Sequence, residues 1–238
     1  MSKKRSKNRQ HQHVEYQQQQ PTFTLRDICP LTVNQSLTFD AYRRGFNLVL
    51  HGCPGTGKTF ISSYLALNEI LSGQTPYQKL MVVRSAVPSR DIGFLPGTEK
   101  EKSKVYEDPY IEICSDLFEN KNAYDILKMH NLIEFTTTSY KRGMTFNNCI
   151  ILMDEAQNYT FQELDTVLTR AGRNCKVIVS GDFRQTDFTK TNEKTGIINF
   201  MKITNAMKSF RHIEFQKEDI VRSGLVKEYI IQKYDLGL

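Results

Sequence analysis

The sequence predicts an α/β protein with a mainly parallel sheet and helices on both of its faces. Three observations lead to this class. Short apolar runs alternate with longer segments of helical periodicity along the chain. A glycine-rich loop joins the first clear strand to a helix. A later run, residues 149–153, is apolar at every position, as expected of a strand that is buried on both faces of a parallel sheet.

The chain has 238 residues and a net charge of +6 at neutral pH. The first twenty residues carry +4 of that charge, so the basic balance by itself does not indicate a nucleic-acid-binding face. Residues 1–21 are polar, basic and rich in glutamine, and we predict that they are disordered, either as a solvated tail or as an arm that follows phosphates. Residues 22–238 contain no repeat or linker and are predicted to form a single domain.

The composition also favours one cellular location. No apolar run approaches the roughly 18 residues that a membrane helix needs, and the N-terminus lacks the apolar stretch of a secretory signal. The five cysteines include no Cys-x-x-Cys pair, which favours reduced thiols over zinc ligands or disulfides. We therefore expect a cytoplasmic protein without a membrane partner.

The central motif is the segment 52–59, which fits the phosphate-binding P-loop pattern Gly-x-x-x-x-Gly-Lys-[Ser/Thr]. A predicted strand over 46–51 leads into it, and a predicted helix over 60–71 follows. Glycines let successive backbone N–H groups turn inward, where they form an anion site with the helix N-terminus. Lys58 is expected to reach the β- and γ-phosphates of ATP, and the Thr59 hydroxyl is expected to ligate Mg²⁺. The predicted nucleotide contacts are Gly52, Cys53, Pro54, Gly55, Thr56, Gly57, Lys58 and Thr59.

A side-chain amide precedes the P-loop strand. Asn34 and Gln35 open a predicted helix over 36–44. An amide at this place can pair with both the donor and the acceptor on the edge of adenine. The alternative is an asparagine that caps the helix, and the spacing alone does not decide between the two.

The middle of the chain predicts a second strand over 79–84, followed by a loop over 85–97 that leaves the ligand-binding edge of the sheet. Residues 99–129 are predicted to form two helices with a break near Asn120. A short strand over 132–135 and a basic turn over 140–143 follow.

The apolar run 149–153 ends in Asp154-Glu155, which is the Walker B pattern. Asp154 is expected to hold Mg²⁺ through water, and Glu155 to orient or deprotonate the attacking water. Thr160 and Glu163 form a capping box, which predicts a helix from there to about residue 170.

A further buried strand is predicted over 176–180, followed by Gln185. A glutamine beside the Walker B strand can contact the γ-phosphate and report its hydrolysis; the alternative is a turn with solvated polar residues. A helix over 196–207, a strand over 212–215 and a helical region over 218–234 complete the chain.

These segments together resemble the PhoH family of P-loop ATPases, whose core is similar to the first motor lobe of superfamily 1 helicases. The resemblance is carried by residues 52–59, 84–87, 93–97, 140–146, 151–158, 168–170, 181–185, Asp187 and 219–222. The short length resembles the PhoH-like proteins of large phages, for which the location would be the host cytoplasm. Two departures from the family pattern, Arg90-Asp91 and Met144, lie where nucleic acid or a neighbouring subunit is expected to bind.

The resemblance implies a single RecA-like lobe that uses ATP and Mg²⁺ and forms a homo-oligomeric ring, such as a hexamer. It implies nucleotide and Mg²⁺ roles for five residues and a place near the base for Gln35. Those five residues are Lys58, Thr59, Asp154, Glu155 and Gln185.

We first expect ATP hydrolysis, with the positive charge for the transition state given in trans by Arg222 or Arg170; the alternative for Arg222 is a surface salt bridge. A second hypothesis is a motor stimulated by single-stranded RNA or DNA. The third is a nucleotide-dependent switch or scaffold with little turnover, and the weakest is a metal-dependent nuclease. The residues proposed to contact nucleic acid are Arg84, Arg90, Tyr140, Lys141, Arg142 and Phe146.

Overall fold

The computed structural model describes residues 24–85, 99–138, 145–183 and 191–236, with the side chains of 99–105 and 191–195 left out of the description. The strands β1 to β6 are Asn47–Gly52, Lys79–Arg84, Ile133–Thr137, Cys149–Met153, Cys175–Gly181 and Phe210–Phe215. The helices α1 to α7 are Val33–Arg43, Lys58–Ser72, Glu99–Phe118, Ala123–Met129, Phe161–Leu168, Thr191–Ala206 and Gly224–Asp235. Two 3₁₀ turns cover Ala156–Asn158 and Lys217–Asp219.

The six strands form one parallel sheet in the order β3-β2-β4-β5-β1-β6. The P-loop strand β1 and the Walker B strand β4 are therefore not neighbours, because β5 lies between them. Their carboxyl ends still meet at one edge, since His51 pairs with Gly181 and Met153 pairs with Val179. The predicted RecA-like α/β fold is confirmed.

Alternate residues of the central strands face opposite sides of the sheet, as the strand period requires. In β4, Ile150 and Leu152 join a core formed mainly with α1, α2, α3 and α4. Ile151 and Met153 join the core on the other face, which includes buried residues of α5 and α6. Helices therefore cover both faces, which explains why β4 is apolar at every position.

Several local predictions hold with small shifts at the ends. The break between α3 and α4 falls at the predicted place, and the capping box of Thr160 and Glu163 starts α5. The helix predicted over 36–44 begins earlier, at Val33, because the Thr32 side chain caps it by accepting from the Gln35 N–H. The predicted helical region over 218–234 is divided, since the chain is extended at Ile220 and again at Ser223.

Among the described residues, no helix combines the length and the apolarity that a membrane span requires. All five cysteines lie in the described part of the chain as free thiols. The sulfur atoms of Cys149 and Cys175, which face each other on β4 and β5, are 3.8 Å apart.

Candidate nucleotide-binding site

The P-loop connects the end of β1 to the first residue of α2, as the motif predicts. Gly52, Gly55 and Gly57 all have positive φ angles, of 104°, 71° and 80°. Gly52 also has a steric requirement, because a Cβ placed on it would lie 2.2 Å from the Phe215 carbonyl oxygen on β6. The loop therefore needs glycine both for its turns and for its close contact with the neighbouring strand.

Lys58 is the first residue of α2 and is buried within the loop. Its Nζ donates to the carbonyl oxygens of Gly52, at 3.0 Å, and Cys53, at 2.7 Å. Burial lowers the pKa of Lys58, and the nearby carboxylates, Asp182 first among them, oppose that change. The ammonium group is thus held at the loop by carbonyl oxygens, which are contacts that a phosphate can replace.

The two predicted Mg²⁺ residues lie in contact although 95 positions separate them in the chain. The Thr59 hydroxyl donates to Asp154 Oδ1 at 2.9 Å, from the first turn of α2 to the end of β4. A hydroxyl and a carboxylate beside a phosphate site are the oxygen donors that Mg²⁺ prefers in nucleotide enzymes. These residues therefore fit a magnesium ion that is shared with nucleotide phosphates. Among the described residues, no group of three or more His, Cys, Asp or Glu side chains is arranged to hold a metal ion.

Asp154 has a second set of partners that the sequence does not indicate. The Tyr110 hydroxyl, from α3, donates to Asp154 Oδ2 at 2.7 Å. Arg84, the last residue of β2, donates from Nη1 to the Tyr110 hydroxyl at 3.4 Å and lies 3.9 Å from Asp154 Oδ2. Burial, and then the Asp154 charge, raise the pKa of Tyr110. The carboxylate is held at both oxygens.

Glu155 follows in a left-handed conformation with φ of 52°, which is strained for a residue with a side chain. Its carboxylate accepts from Gln157 Nε2 at 2.5 Å. Gln157 is only 7% exposed, and its Oε1 accepts from the Asp182 N–H at 3.0 Å. A Cβ on Gly181 would lie 2.7 Å from that Oε1, so the glycine at the end of β5 makes room for the contact. Sequence reasoning missed Gln157, although its place in Asp-Glu-Ala-Gln was visible.

The Gln35 amide is buried against the P-loop. Its Nε2 donates to the Thr56 carbonyl oxygen at 3.0 Å, and its Oε1 accepts from the Leu31 N–H at 2.8 Å. Asn34 does not cap α1, because that position belongs to Thr32; instead, Asn34 Nδ2 donates to Asp219 Oδ2 at 2.6 Å. Gln35 thus lies beside the predicted phosphate loop, and its contact with the base stays a prediction.

The two candidate arginines lie at opposite ends of the strands, Arg222 at the carboxyl ends and Arg170 at the amino ends. Arg222 lies beside the P-loop of its own chain, because a Cβ placed on Gly55 would lie 3.1 Å from Arg222 Cγ. The Val221 N–H, next to it, donates to the Gly55 carbonyl oxygen at 3.1 Å. Arg170 follows α5 at the amino edge, where its carbonyl oxygen accepts from the Phe146 N–H. Of these two arginines, Arg222 is the one that lies near the loop of its own chain.

The predicted nucleic-acid contacts are only partly described. Phe146 is 5% exposed and packs in the same core cluster as Ile151 and Met153 of β4. The expectation that its ring stacks on bases is therefore wrong. The guanidinium of Arg84 faces Tyr110 and Asp154. The remaining nucleic-acid candidates and the predicted γ-phosphate sensor lie outside the described residues: Arg90, Tyr140, Lys141, Arg142 and Gln185.

Comparison with known proteins finds one family over almost the whole chain. The family model described as "PhoH-like protein" matches residues 27–235. The PhoH-like protein of Mycobacterium leprae is 30% identical over 219 residues, which are 90% of this chain and 62% of the relative. The corresponding protein of Bacillus subtilis is 32% identical over 185 residues, 77% of this chain and 56% of the relative. Protein PhoH of Escherichia coli is 32% identical over 182 residues, 73% and 49% of the two chains. The chain spans about half to three-fifths of these relatives.

Solved structures are similar at much lower identity. The large terminase from a thermophilic bacteriophage matches 86% of this chain and 50% of its own, with 10% identity and a TM-score of 0.49. The SWI2/SNF2 ATPase core from Sulfolobus solfataricus matches 85% and 48%, with 12% identity and a TM-score of 0.44.

Proposed function

The chain belongs to the PhoH-like protein family, and we propose that it is a Mg²⁺-dependent ATPase. The observation that carries the proposal is the contact of Thr59 with Asp154. It joins the P-loop hydroxyl and the Walker B carboxylate that are expected to bind Mg²⁺. A site that binds phosphate without a metal has no need of that pairing.

In this mechanism the loop N–H groups and Lys58 bind the phosphates, for which Lys58 exchanges its carbonyl partners for phosphate oxygens. Thr59 and Asp154 would hold Mg²⁺, which neutralises the charge that develops on the phosphates. Glu155 orients the attacking water and accepts its proton, and Gln157 fixes the carboxylate for that task. Gln185 is proposed as the residue that senses the γ-phosphate.

Arg222 is expected from the sequence to act across a subunit interface, but it lies beside Gly55 of its own chain. Its position supports a contribution of its positive charge within one chain. Arg170, at the amino ends of the strands, would need a neighbouring subunit to reach a nucleotide. The homo-oligomeric ring remains part of the proposal through this second arginine. An ATPase rate per chain that does not change on dilution to monomers would remove Arg170 and the ring from the mechanism.

The proposal is tested by ATP hydrolysis and nucleotide binding in Glu155→Gln. We expect hydrolysis to fall by about a hundredfold or more, because the amide accepts no proton, while binding of a fluorescent ATP analogue with Mg²⁺ stays within about threefold. Glu112→Gln is the matched control, since Glu112 is exposed on α3 and should leave both unchanged.

Each outcome of this comparison assigns a function. A wild-type protein that binds but does not hydrolyse ATP, with or without single-stranded RNA or DNA, would replace the ATPase with the nucleotide-dependent switch. Hydrolysis that single strands raise several-fold would extend the proposal to a nucleic-acid motor.

A further inference from the structure

Tyr110 lies outside every nucleotide motif of the sequence, yet it contacts the centre of the site. It comes from the middle of α3, and its side chain is 1% exposed. Its hydroxyl is 2.7 Å from Asp154 Oδ2, on the side of the carboxylate that Thr59 does not use. A buried hydroxyl on a metal carboxylate is the arrangement by which outer groups orient a metal ligand.

Arg84 determines which way the Tyr110 hydroxyl points. A phenol has one proton to donate, and a guanidinium has only donors. Because Arg84 Nη1 donates to the Tyr110 oxygen, the single phenolic proton is left for Asp154 Oδ2. Arg84 is itself largely buried, with a side chain that is 16% exposed. The hydrogen bonds therefore run in one direction, from Arg84 to the Tyr110 oxygen and from the Tyr110 hydroxyl to Asp154.

The carboxylate of Asp154 is therefore held at both oxygens, by groups from two helices that reach it across the sheet edge. Rotation of the carboxylate would break at least one of two hydrogen bonds to a charged acceptor, each of which makes a substantial contribution to stability. Without Tyr110, only Thr59 would hold the orientation, and Thr59 is also the residue expected to bind the metal.

We propose that Tyr110 is a positioning residue for Mg²⁺: it holds the Asp154 carboxylate in the orientation that binds the metal, and Arg84 keeps the Tyr110 hydroxyl turned toward it. Tyr110 acts through Asp154 and does not touch the nucleotide. The inference rests on the proposed nucleotide and Mg²⁺ site, and it adds a residue to that site from an element that carries none of the motifs.

The test is Tyr110→Phe, which removes one oxygen and keeps the ring in the core. Binding of a fluorescent ATP analogue is measured in EDTA and then across a MgCl₂ titration. We expect affinity in EDTA to stay within about twofold of the wild type, while the Mg²⁺ concentration at half-maximal effect rises about tenfold, as for other groups that orient metal ligands.

Tyr124→Phe is the matched control. The Tyr124 residue is likewise buried, at 2% exposed, and its hydroxyl donates to a carboxylate at 2.7 Å. That carboxylate is Glu107, which pairs with Lys128 and is not one of the predicted nucleotide or Mg²⁺ residues. A loss of general stability would affect both variants, whereas a shift of the Mg²⁺ midpoint is expected in Tyr110→Phe alone.

A second variant covers the case in which Tyr110→Phe does not fold. Arg84→Lys keeps a positive charge near Asp154 but lacks the planar nitrogen that reaches the Tyr110 oxygen, and we expect the Mg²⁺ midpoint to rise about threefold. Unchanged midpoints in the folded variants, with a wild type that responds to Mg²⁺, would overturn the inference and leave the proposed function intact. A wild type whose nucleotide binding ignores Mg²⁺ would instead overturn the proposed function.

Discussion

The contact between Gln157 and Glu155 leads to a specific prediction for Gln157→Glu. The substitution changes an amide into a carboxylate of nearly the same shape. The oxygen that accepts from the Asp182 N–H is retained. The amide nitrogen, 2.5 Å from Glu155 Oε2, becomes an oxygen with negative charge.

The cost can be worked out from this distance. Two unit charges 2.5 Å apart interact by about 6.6 kcal/mol at an effective dielectric constant of about 20. A less costly solution is for the two carboxylates to share one proton. Keeping a free glutamate carboxyl, with a pKa of about 4.3, protonated costs about 3.7 kcal/mol at pH 7 and about 1 kcal/mol at pH 5. The variant should therefore be less stable than the wild type by about 3–4 kcal/mol at pH 7 and by about 1 kcal/mol at pH 5.

Urea unfolding at the two pH values measures this difference directly. Stability should be regained on acidification, because the folded pair holds a proton that the unfolded chain releases at a lower pH. Gln162→Glu is the matched control: Gln162 is exposed on α5, and the same change there should alter stability by less than about 0.5 kcal/mol at either pH. Equal unfolding free energies for Gln157→Glu and the wild type at pH 7 would refute the contact. ATP hydrolysis should fall at least tenfold, since a carboxylate that shares a proton is a poor base.

Two further predictions concern stability. Lys176 is 5% exposed and forms an ion pair with Glu69 at 2.8 Å. Lys176→Met should lower the free energy of unfolding by about 2–3 kcal/mol, because the Glu69 carboxylate loses its ion-pair partner, and adding Glu69→Gln should restore most of that loss. Additive losses of the two substitutions in urea unfolding would contradict the pairing. Burial raises the pKa values of Tyr110, Tyr124 and Tyr159 in the folded protein. The contribution of their protonated hydroxyls to the free energy of unfolding is therefore complete below about pH 10. As the pH rises further, each tyrosine loses about 1.4 kcal/mol of that contribution per pH unit. Urea unfolding between pH 10 and 11 should show this slope, and Tyr110→Phe should reduce the slope by about 1.4 kcal/mol per pH unit. An unchanged slope in this variant would contradict the raised pKa of Tyr110.

Features encoded by local pattern could be read from the sequence. The P-loop pattern predicts the glycine turn and the start of α2, because glycine and lysine at fixed spacing meet a local geometric need. The apolar run 149–153 predicts a strand with both faces buried, and β4 is buried at every position. The capping box of Thr160 and Glu163 involves residues three apart, and it starts α5 as predicted.

Contacts between distant segments were beyond that reading. The spacing of Asp154 and Tyr110 carries no signal, since their contact requires α3 to return across the carboxyl edge of β2 and β4. The same holds for Arg222 and Gly55, which meet because β6 pairs with β1 and delivers the following segment to the loop. The prediction that Phe146 stacks on bases is wrong for a related reason. The local sequence of an aromatic residue near basic ones does not show whether its ring faces solvent or the core, and the Phe146 ring is buried.

Local sequence patterns identify the groups that we propose bind phosphate and Mg²⁺, because that chemistry depends on residue types at short spacing within one strand–loop–helix unit or at the end of one strand. The contacts that hold those groups in place depend on how the strands and helices pack. Strand order brings Thr59 to Asp154, and α3 adds Tyr110 to the same carboxylate. Periodicity and turn chemistry are local properties of the chain, whereas the partner of a buried polar group depends on which element the packing of the whole sheet places against it.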